Sequence, residues 1–445
     1  MKHQLFFELL RTAIGQRKVL SAVPSAKEWE ALYGLLSKHT LLGIGYVAIQ
    51  KLPREQWPPK MLVLKWTSVA TAISHQNKTL NEECKSLCEE FRHDGVASVV
   101  IKGQSNLENY PEELRWYRTP GDIDLWCEAR NGVEIGEMVN GEVVKSEFHG
   151  IAGVIEYCKQ YERYRGRDIP WHRVLYYHCE LKSDNGIAIE PHYRISYLHS
   201  PVRNHRLQKW FKNHFDICLQ NKCQLCFPVL TSSVNVVYQL VHLYRHVFEG
   251  GIGLRQLMDY YFALRVWHND VMECKDLQSQ GMWSEGLGTP VMSAQEVMAV
   301  LRSFGMGKFA GAVMWVLNEV FGGGNENENE KGQRRTRRKT DGGPQADDGG
   351  EQVLITDERL LINDVPWLLC EPNEMEGRRL LEEIIKGGNF GQYDTRDAAL
   401  KKGGMVKHGV WKLKRVMRLV SSYPEEALWE PVFRVYHLIW KTIHN

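Results

Sequence analysis

Residues Val96–Leu125 read VASVVIKGQSNLENYPEELRWYRTPGDIDL. The β-branched run Val96–Ile101 predicts a strand, Lys102-Gly103 turns out of it, and Gln104–Tyr110 has a helix-like pattern. Asp122–Cys127 (DIDLWC) then alternates polar and apolar and predicts a second strand. Side chains two apart on a strand share a face, so Asp122 and Asp124 stand side by side while Ile123 enters the core. Two adjacent anions repel. The usual compensation is a divalent cation, since hard Mg²⁺ takes one or two carboxylates together with phosphate oxygens and water. A bare Asp-x-Asp is common by chance on exposed strand ends, so its meaning rests on what surrounds it.

Upstream, Gly103 lets backbone N–H groups approach a phosphate at a helix start, and Lys102 adds positive charge beside it. Downstream, Val174–Leu181 and Gly186–Glu190 read as strands around Ser183-Asp184-Asn185-Gly186, whose Asn-Gly pair signals a hairpin. Ile187–His192 (IAIEPH) ends its strand with a third acid, Glu190. These parts supply a phosphate cradle, a metal-binding pair and a third carboxylate.

Around this centre the pattern is helical. Apolar residues from Leu5 to about Phe91 recur at helical spacing, interrupted by Pro24, Pro53 and Pro58-Pro59. After Pro228, Val234, Val237, Val241, Tyr244 and Phe248 form one stripe, and Leu254, Leu257, Met258, Tyr261 and Leu264 another. A third helical region spans Val297–Val320. Gly322–Gly350 holds eight glycines and only Ala346 as an aliphatic residue, and is expected to be a disordered linker with a solvated charge run. Helices resume near Glu374, with a break at Pro424. The expected fold is α+β, a small mixed sheet with helices at 95–200. It is flanked by an N-terminal helical region (1–94) and a helical domain (201–321) that continues, past the linker 322–351, through 352–445.

Charge and composition narrow the function. Fifty-six Lys and Arg against 54 Asp and Glu leave +2, too little for a general nucleic-acid or anionic-membrane binder. Ten Cys in 445 residues are too sparse for a disulfide scaffold and suit thiols in a reducing compartment. Glu8, Arg11, Arg17 and Lys18 interrupt the N-terminal apolar positions, so no signal-peptide core is read there. No run approaches the ~18 apolar residues of a membrane span. The expected location is cytoplasmic.

The assembly resembles the nucleotidyltransferase superfamily that includes DNA polymerase β, and more closely an uncharacterised nucleotidyltransferase-like family of bacterial proteins. The resemblance is carried by Val100–Gly103 (VIKG), Arg118, Asp122–Leu125 (DIDL) and Glu190–His192 (EPH). Gly251–Asp259 (GIGLRQLMD), Gly388–Gly391 (GNFG) and Tyr423–Glu426 (YPEE) extend it over most of 95–445. It departs from the wider superfamily's Gly-Ser turn in reading Gly103-Gln104-Ser105, and has Glu rather than Asp as third acid.

The resemblance implies transfer of a nucleoside monophosphate from an NTP, ATP among them, to an acceptor hydroxyl. Asp122, Asp124 and Glu190 would hold two Mg²⁺ (or Mn²⁺) ions, with Glu190 nearest the acceptor. Lys102, Gly103 and Ser105 would face the phosphates, and His192 would assist a metal or a phosphate. Arg118 has two readings, a bidentate phosphate contact or an ion pair with Asp122 or Asp124. The expected partners are an NTP and a small-molecule acceptor, with no extended nucleic-acid surface. The rivals are an inactive nucleotide-binding or interaction protein on the same fold, and a metal-dependent phosphohydrolase or nuclease.

Other residues carry blander expectations. His178 and Glu180 share a strand face. Arg255 and Asp259, four apart on a helix, make either a surface pair or a contact between helical domain and core. His242 with His246, and Cys218, Cys223 and Cys226 with His214, lack the further ligands of a zinc site. Trp411–Leu419 is expected as a helix packed by Leu413, Val416, Met417 and Val420, its basic face in water.

Overall fold

The computed structural model describes residues 3–130, 132–139, 142–170, 173–279, 291–322, 368–401 and 403–444. Apart from Gly322, the expected linker at 322–351 lies outside the described residues.

The N-terminal helical region comprises α1 (Gln4–Ala13), α2 (Ala26–Lys38), α3 (Leu42–Lys51) and α4 (Lys60–His93). Ser25 and Glu28 start α2 with a reciprocal capping box. The buried residues of α4 recur at three- and four-residue intervals from Leu62 to Phe91. At 34 residues it is ~50 Å long. It therefore serves two cores, giving Leu62 and Trp66 to one and Leu80, Cys84, Leu87 and Phe91 to the other.

Four strands form the central sheet: β1 (Ala97–Val100), β2 (Ile123–Glu128), β5 (Leu181–Lys182) and β6 (Ala188–His192), in the order β1-β2-β6-β5. β2 and β6 run parallel and the outer pairs antiparallel. The pleat sends Ile123, Leu125 and Cys127 into the core built with α4 and α6 (Gly150–Tyr164). Trp126 goes to the opposite face, against Phe211 and Phe215.

Two regions of β structure differ from expectation. Val174–Leu181 is not a regular strand: Leu175 N–H donates to His178 O, and the chain folds back on itself with isolated bridges at Val174 with Cys179 and His178 with His192. Pairing becomes regular only at Leu181 and Lys182. A separate hairpin, β3 (Val133–Val139) with β4 (Glu142–Phe148), was not foreseen. Asn140-Gly141 between its runs is the hairpin signal that would have found it.

Between β1 and β2 lies the short helix α5 (Glu112–Arg115), and beyond the sheet come α7 (Pro201–Lys212), α8 (Phe215–Gln220), α9 (Ser232–Glu249), α10 (Leu254–Ser279), α11 (Ala294–Ser303) and α12 (Gly307–Phe321). The chain resumes with α13 (Glu374–Gly387), α14 (Ala398–Lys401), α15 (Met405–Leu419) and α16 (Pro424–His444). The two helical regions meet. Lys38 Nζ donates to Ile385 O and Lys386 O at 2.7 and 2.9 Å, and one apolar core runs from Phe6 to Ala427.

The expected packing of α15 is partly overturned. Leu413 and Met417 are 51% and 64% exposed, whereas Trp411, Arg415 and Val416 turn inward. The buried face is rotated because Arg415 reaches in to donate two hydrogen bonds to Val247 O.

Candidate active site

The parallel register pairs Asp124 with Glu190 on neighbouring strands, and Asp122 precedes Asp124 by two residues on the same face. One oxygen from each of the three carboxylates lies within 4.8 Å of the others. Asp124 is fully buried, and its Oδ1 is 3.0 Å from both Lys102 Nζ and His192 Nε2. Its Oδ2 has no hydrogen-bond partner. A buried carboxylate oxygen without a donor, beside two further acids, suits a hard cation, so these residues fit the Mg²⁺ or Mn²⁺ that the sequence implies.

The electrostatics agree. Burial raises the Asp124 carboxyl, Asp122 and Glu190 add repulsion, Lys102 offsets part of it, and the result is a carboxyl moved up to about 7. Burial also works to raise Glu190, but His178, His192 and Lys102 hold it well below the ordinary range. Lys102 shows the converse: burial disfavours its charge, and Asp124, Asp122 and Glu190 keep it well above its ordinary value. His192 is likewise lifted by its contacts with Asp124 and Glu190 against its burial.

Lys102 leaves β1 just before the turn at Gly103, whose φ is +64° and where a Cβ would sit 3.3 Å from Asp122 O. Glycine there satisfies both the left-handed backbone and the close approach of the Asp122 strand. Gln104 explains the departure from a Gly-Ser turn. Its amide donates to Asn77 O and Asn81 Oδ1 of α4 at 3.0 and 2.7 Å, clamping the turn. Asn77 also donates to Trp116 O and Arg118 O, fixing the chain that leads to Asp122. Asn77 and Asn81 are positioning residues that the sequence reading does not single out, and Gln104 stands there only as a departure from the turn. The signal was two Asn, four apart, on the apolar stripe of a long helix. Ser105 is buried without a partner for its Oγ, and Asn106 rather than Ser105 borders the cleft.

Arg118 pairs with neither Asp122 nor Asp124. Its Nε and Nη2 donate to the two oxygens of Asp259 at 2.6 and 2.7 Å, both side chains being buried. Tyr110 Oη donates to the same carboxylate at 2.7 Å. Arg255 donates to Thr119 O at 2.9 Å. Of the two readings of Arg255 and Asp259, the structure has the contact between helical domain and core rather than the surface pair: both residues are buried and tie α10 to the loop before Asp122. With its fork on Asp259, Arg118 has no second fork for a phosphate.

Asp122 and Asp124, with Lys102 and Gly103, border a cleft also lined by Tyr238, Gln239 and His242 of α9, Gln256 of α10, and Phe390. Phe390 has φ of +50°, and its ring centroid is 4.9 Å from that of His246. Gln256 Nε2 donates to Asn389 Oδ1 at 3.0 Å, holding this loop against α10. The cleft is narrow, about 40 Å³, room for ~three waters.

Behind the site, burial holds His178 well below its ordinary pKa. Its neighbour Tyr177 lies under the Arg245 guanidinium, 4.5 Å from the ring centroid. Glu249 accepts from Tyr197 Oη at 2.6 Å and lies 3.2 Å from His246 Nδ1 and 3.5 Å from Arg245 Nε. Burial works to raise the Glu249 carboxyl, but Arg245 and His246 hold it well below its ordinary value of 4.5. A depressed folded-state pKa contributes stability above the unfolded value that is lost as pH falls through the folded one. Glu249→Gln is therefore expected to flatten the acid limb, below pH 4.5, of a curve of Tm against pH.

The ten cysteines, Cys218, Cys223 and Cys226 included, are free thiols. His242 and His246 stack edge to face at 4.3 Å.

A small mixed sheet with Asp-x-Asp on one strand and a third acid on its parallel neighbour, flanked by helices, defines a nucleotidyltransferase core. The chain matches the family described as uncharacterised nucleotidyltransferase over residues 25–281, and it belongs to that family. The motif resemblance covers most of 95–445 outside the linker, whereas the matched span starts at Ser25, the N-cap of α2, and takes in α4 with Asn77 and Asn81; Gly388–Gly391 and Tyr423–Glu426 lie beyond it. Searches of curated proteins and of solved structures gave no match. Among the described residues, no helix is long and apolar enough to cross a membrane.

Proposed function

We propose that this protein transfers a nucleoside monophosphate from an NTP to a hydroxyl of a small-molecule acceptor, using two divalent cations held by Asp122, Asp124 and Glu190. The observation that carries the reading is the β2/β6 register, which sets Glu190 directly opposite Asp124. When bound, Mg²⁺ or Mn²⁺ supplies Lewis-acid charge to the transferring phosphoryl group and to the attacking oxygen.

The chain's own residues do the rest. Lys102, charged and 18% exposed at its side chain, and the Gly103 N–H meet the triphosphate's negative charge at the cleft. Glu190 contributes negative charge beside the aspartate pair, kept ionised by His178, His192 and Lys102 against its burial. His192 orients Asp124 and Glu190 from behind, 3.0 and 3.4 Å away. A formal charge of +2 favours a small acceptor over a long polyanion.

A cleft of about 40 Å³ does not hold a triphosphate, so the reading requires the cleft to open, and it assigns that movement to Phe390 and its loop. Phe390→Ala is accordingly expected to raise the NTP association rate several-fold, read by stopped-flow fluorescence; an unchanged rate would remove Phe390 as the gate.

The function is tested by incubating the protein with Mg²⁺ or Mn²⁺ and each α-phosphate-labelled NTP, with cell extract as the source of acceptor. A labelled product with one equivalent of pyrophosphate is the expected result. Nucleotide binding without turnover, or release of inorganic phosphate, or cleaved nucleic acid would replace it with one of the rival activities.

A further inference from the structure

Beside the three carboxylates, His178, Glu190 and His192 form a second group whose ligand atoms lie within 4.8 Å of one another. The backbone sets this arrangement. His178 and His192 face each other across an isolated antiparallel bridge, fixed by Cys179 N–H on Pro191 O and Arg194 N–H on Tyr177 O, each 3.1 Å. Their imidazoles stack with centroids 4.9 Å apart, and both present Nε2 to Glu190 Oε2, at 3.8 and 3.4 Å; His192 Nε2 is also 3.0 Å from Asp124 Oδ1, a contact it exchanges for the ion on binding. Ligands ~2.0–2.1 Å from a tetrahedral ion stand ~3.4 Å from one another, close to both spacings.

The second observation is in the hydrogen bonding. His178 is 2% exposed, yet neither ring nitrogen has a hydrogen-bond partner, and Nδ1 of the equally buried His192 has none. Buried polar atoms are ordinarily satisfied, and an imidazole aimed at a carboxylate without bonding it has the disposition of a ligand. Tyr177, its ring centroid 4.1 Å from that of His178 and its plane at 75° to it, packs beside the group.

We propose that His178, Glu190 and His192 form a second cation site that takes a borderline ion such as Zn²⁺ or Co²⁺ in preference to Mg²⁺. Imidazole ligands favour such ions, whereas Mg²⁺ prefers an all-oxygen set, so the two groups divide by ligand chemistry what they share through Glu190. Three protein ligands leave a position for water or substrate. The site goes beyond the proposed transfer reaction and needs neither Asp122 nor turnover.

The test uses the full chain, freed of metal by a chelator and titrated with Co²⁺ in excess Mg²⁺ without nucleotide, followed by equilibrium dialysis and Co²⁺ visible absorption. The expected result is one Co²⁺ retained with a d–d band. Affinity should fall by at least ~tenfold in His178→Ala and His178→Gln and persist in Asp122→Asn. Circular dichroism checks each fold, and the glutamine variant covers the case in which alanine unfolds the site. Binding unchanged in a folded His178 variant, lost in Asp122→Asn, or abolished by excess Mg²⁺ would overturn the proposal. Co²⁺ retention without NTP turnover would count against the transfer reading alone, and turnover without Co²⁺ retention against this one alone.

Discussion

Asp122→Asn is expected to leave the fold intact and to lower nucleotidyl transfer by on the order of 10³-fold or more, because a single preorganised electrostatic contact to developing charge is already worth ~10²–10³ in kcat. Asp122 is the cleaner of the two aspartates to change, being only half-buried at the start of its strand. Asp124→Asn should match it in activity and also disturb the fold, since Lys102 and His192 both depend on the buried Asp124 oxygen. Measuring kcat beside a thermal melt for each variant separates the effects. A melting point unchanged in Asp122→Asn together with lost turnover is the signature of a residue that acts on substrate. Turnover within a few-fold of the parent would take Asp122 out of the site.

Asp259→Ala carries the largest expected loss of stability. The substitution leaves the buried Arg118 guanidinium without its bidentate partner and Tyr110 Oη without its acceptor. Breaking a buried ion pair from one side typically costs ~3–5 kcal/mol. Replacing both partners by apolar residues is far milder, so Arg118→Met with Asp259→Leu should recover much of the loss in urea denaturation. A double variant as unstable as the sum of its singles would show that the two residues act separately. The pair also joins α10 to the chain four residues before Asp122, so the single variant should lose activity along with stability.

What was legible in the sequence was local and periodic. Asp-Ile-Asp on an alternating run fixes two carboxylates to one face whatever the rest of the protein does, and the apolar stripes of α9 and α10 announce their helices. The Lys102-Gly103 turn was readable for the same reason, since glycine favours the φ of +64° there and leaves room beside Asp122 O. Long-range partners were not legible. Nothing near Arg118 marks Asp259, 141 residues away, as the acceptor that occupies its fork. Gln104 looked like a departure from a phosphate-binding turn because its partners, Asn77 and Asn81, sit on a helix that local reading treats as a separate layer. Val174–Leu181 misled by composition: its β-like residues fold back through isolated bridges, which brings His178 beside His192. Leu413 and Met417 show that an amphipathic stripe does not fix which face is buried when an arginine has a buried acceptor to reach.

The most direct measurement is a crystal structure of the protein with Mg²⁺ and a non-hydrolysable NTP analogue. The predicted result is a cation at ~2.0–2.1 Å from oxygens of Asp122 and Asp124, with Glu190 in the same cluster, the triphosphate beside Lys102 and Gly103, and Phe390 displaced from the cleft. A nucleotide bound elsewhere, or bound in the cleft with no cation on the three carboxylates, would contradict it.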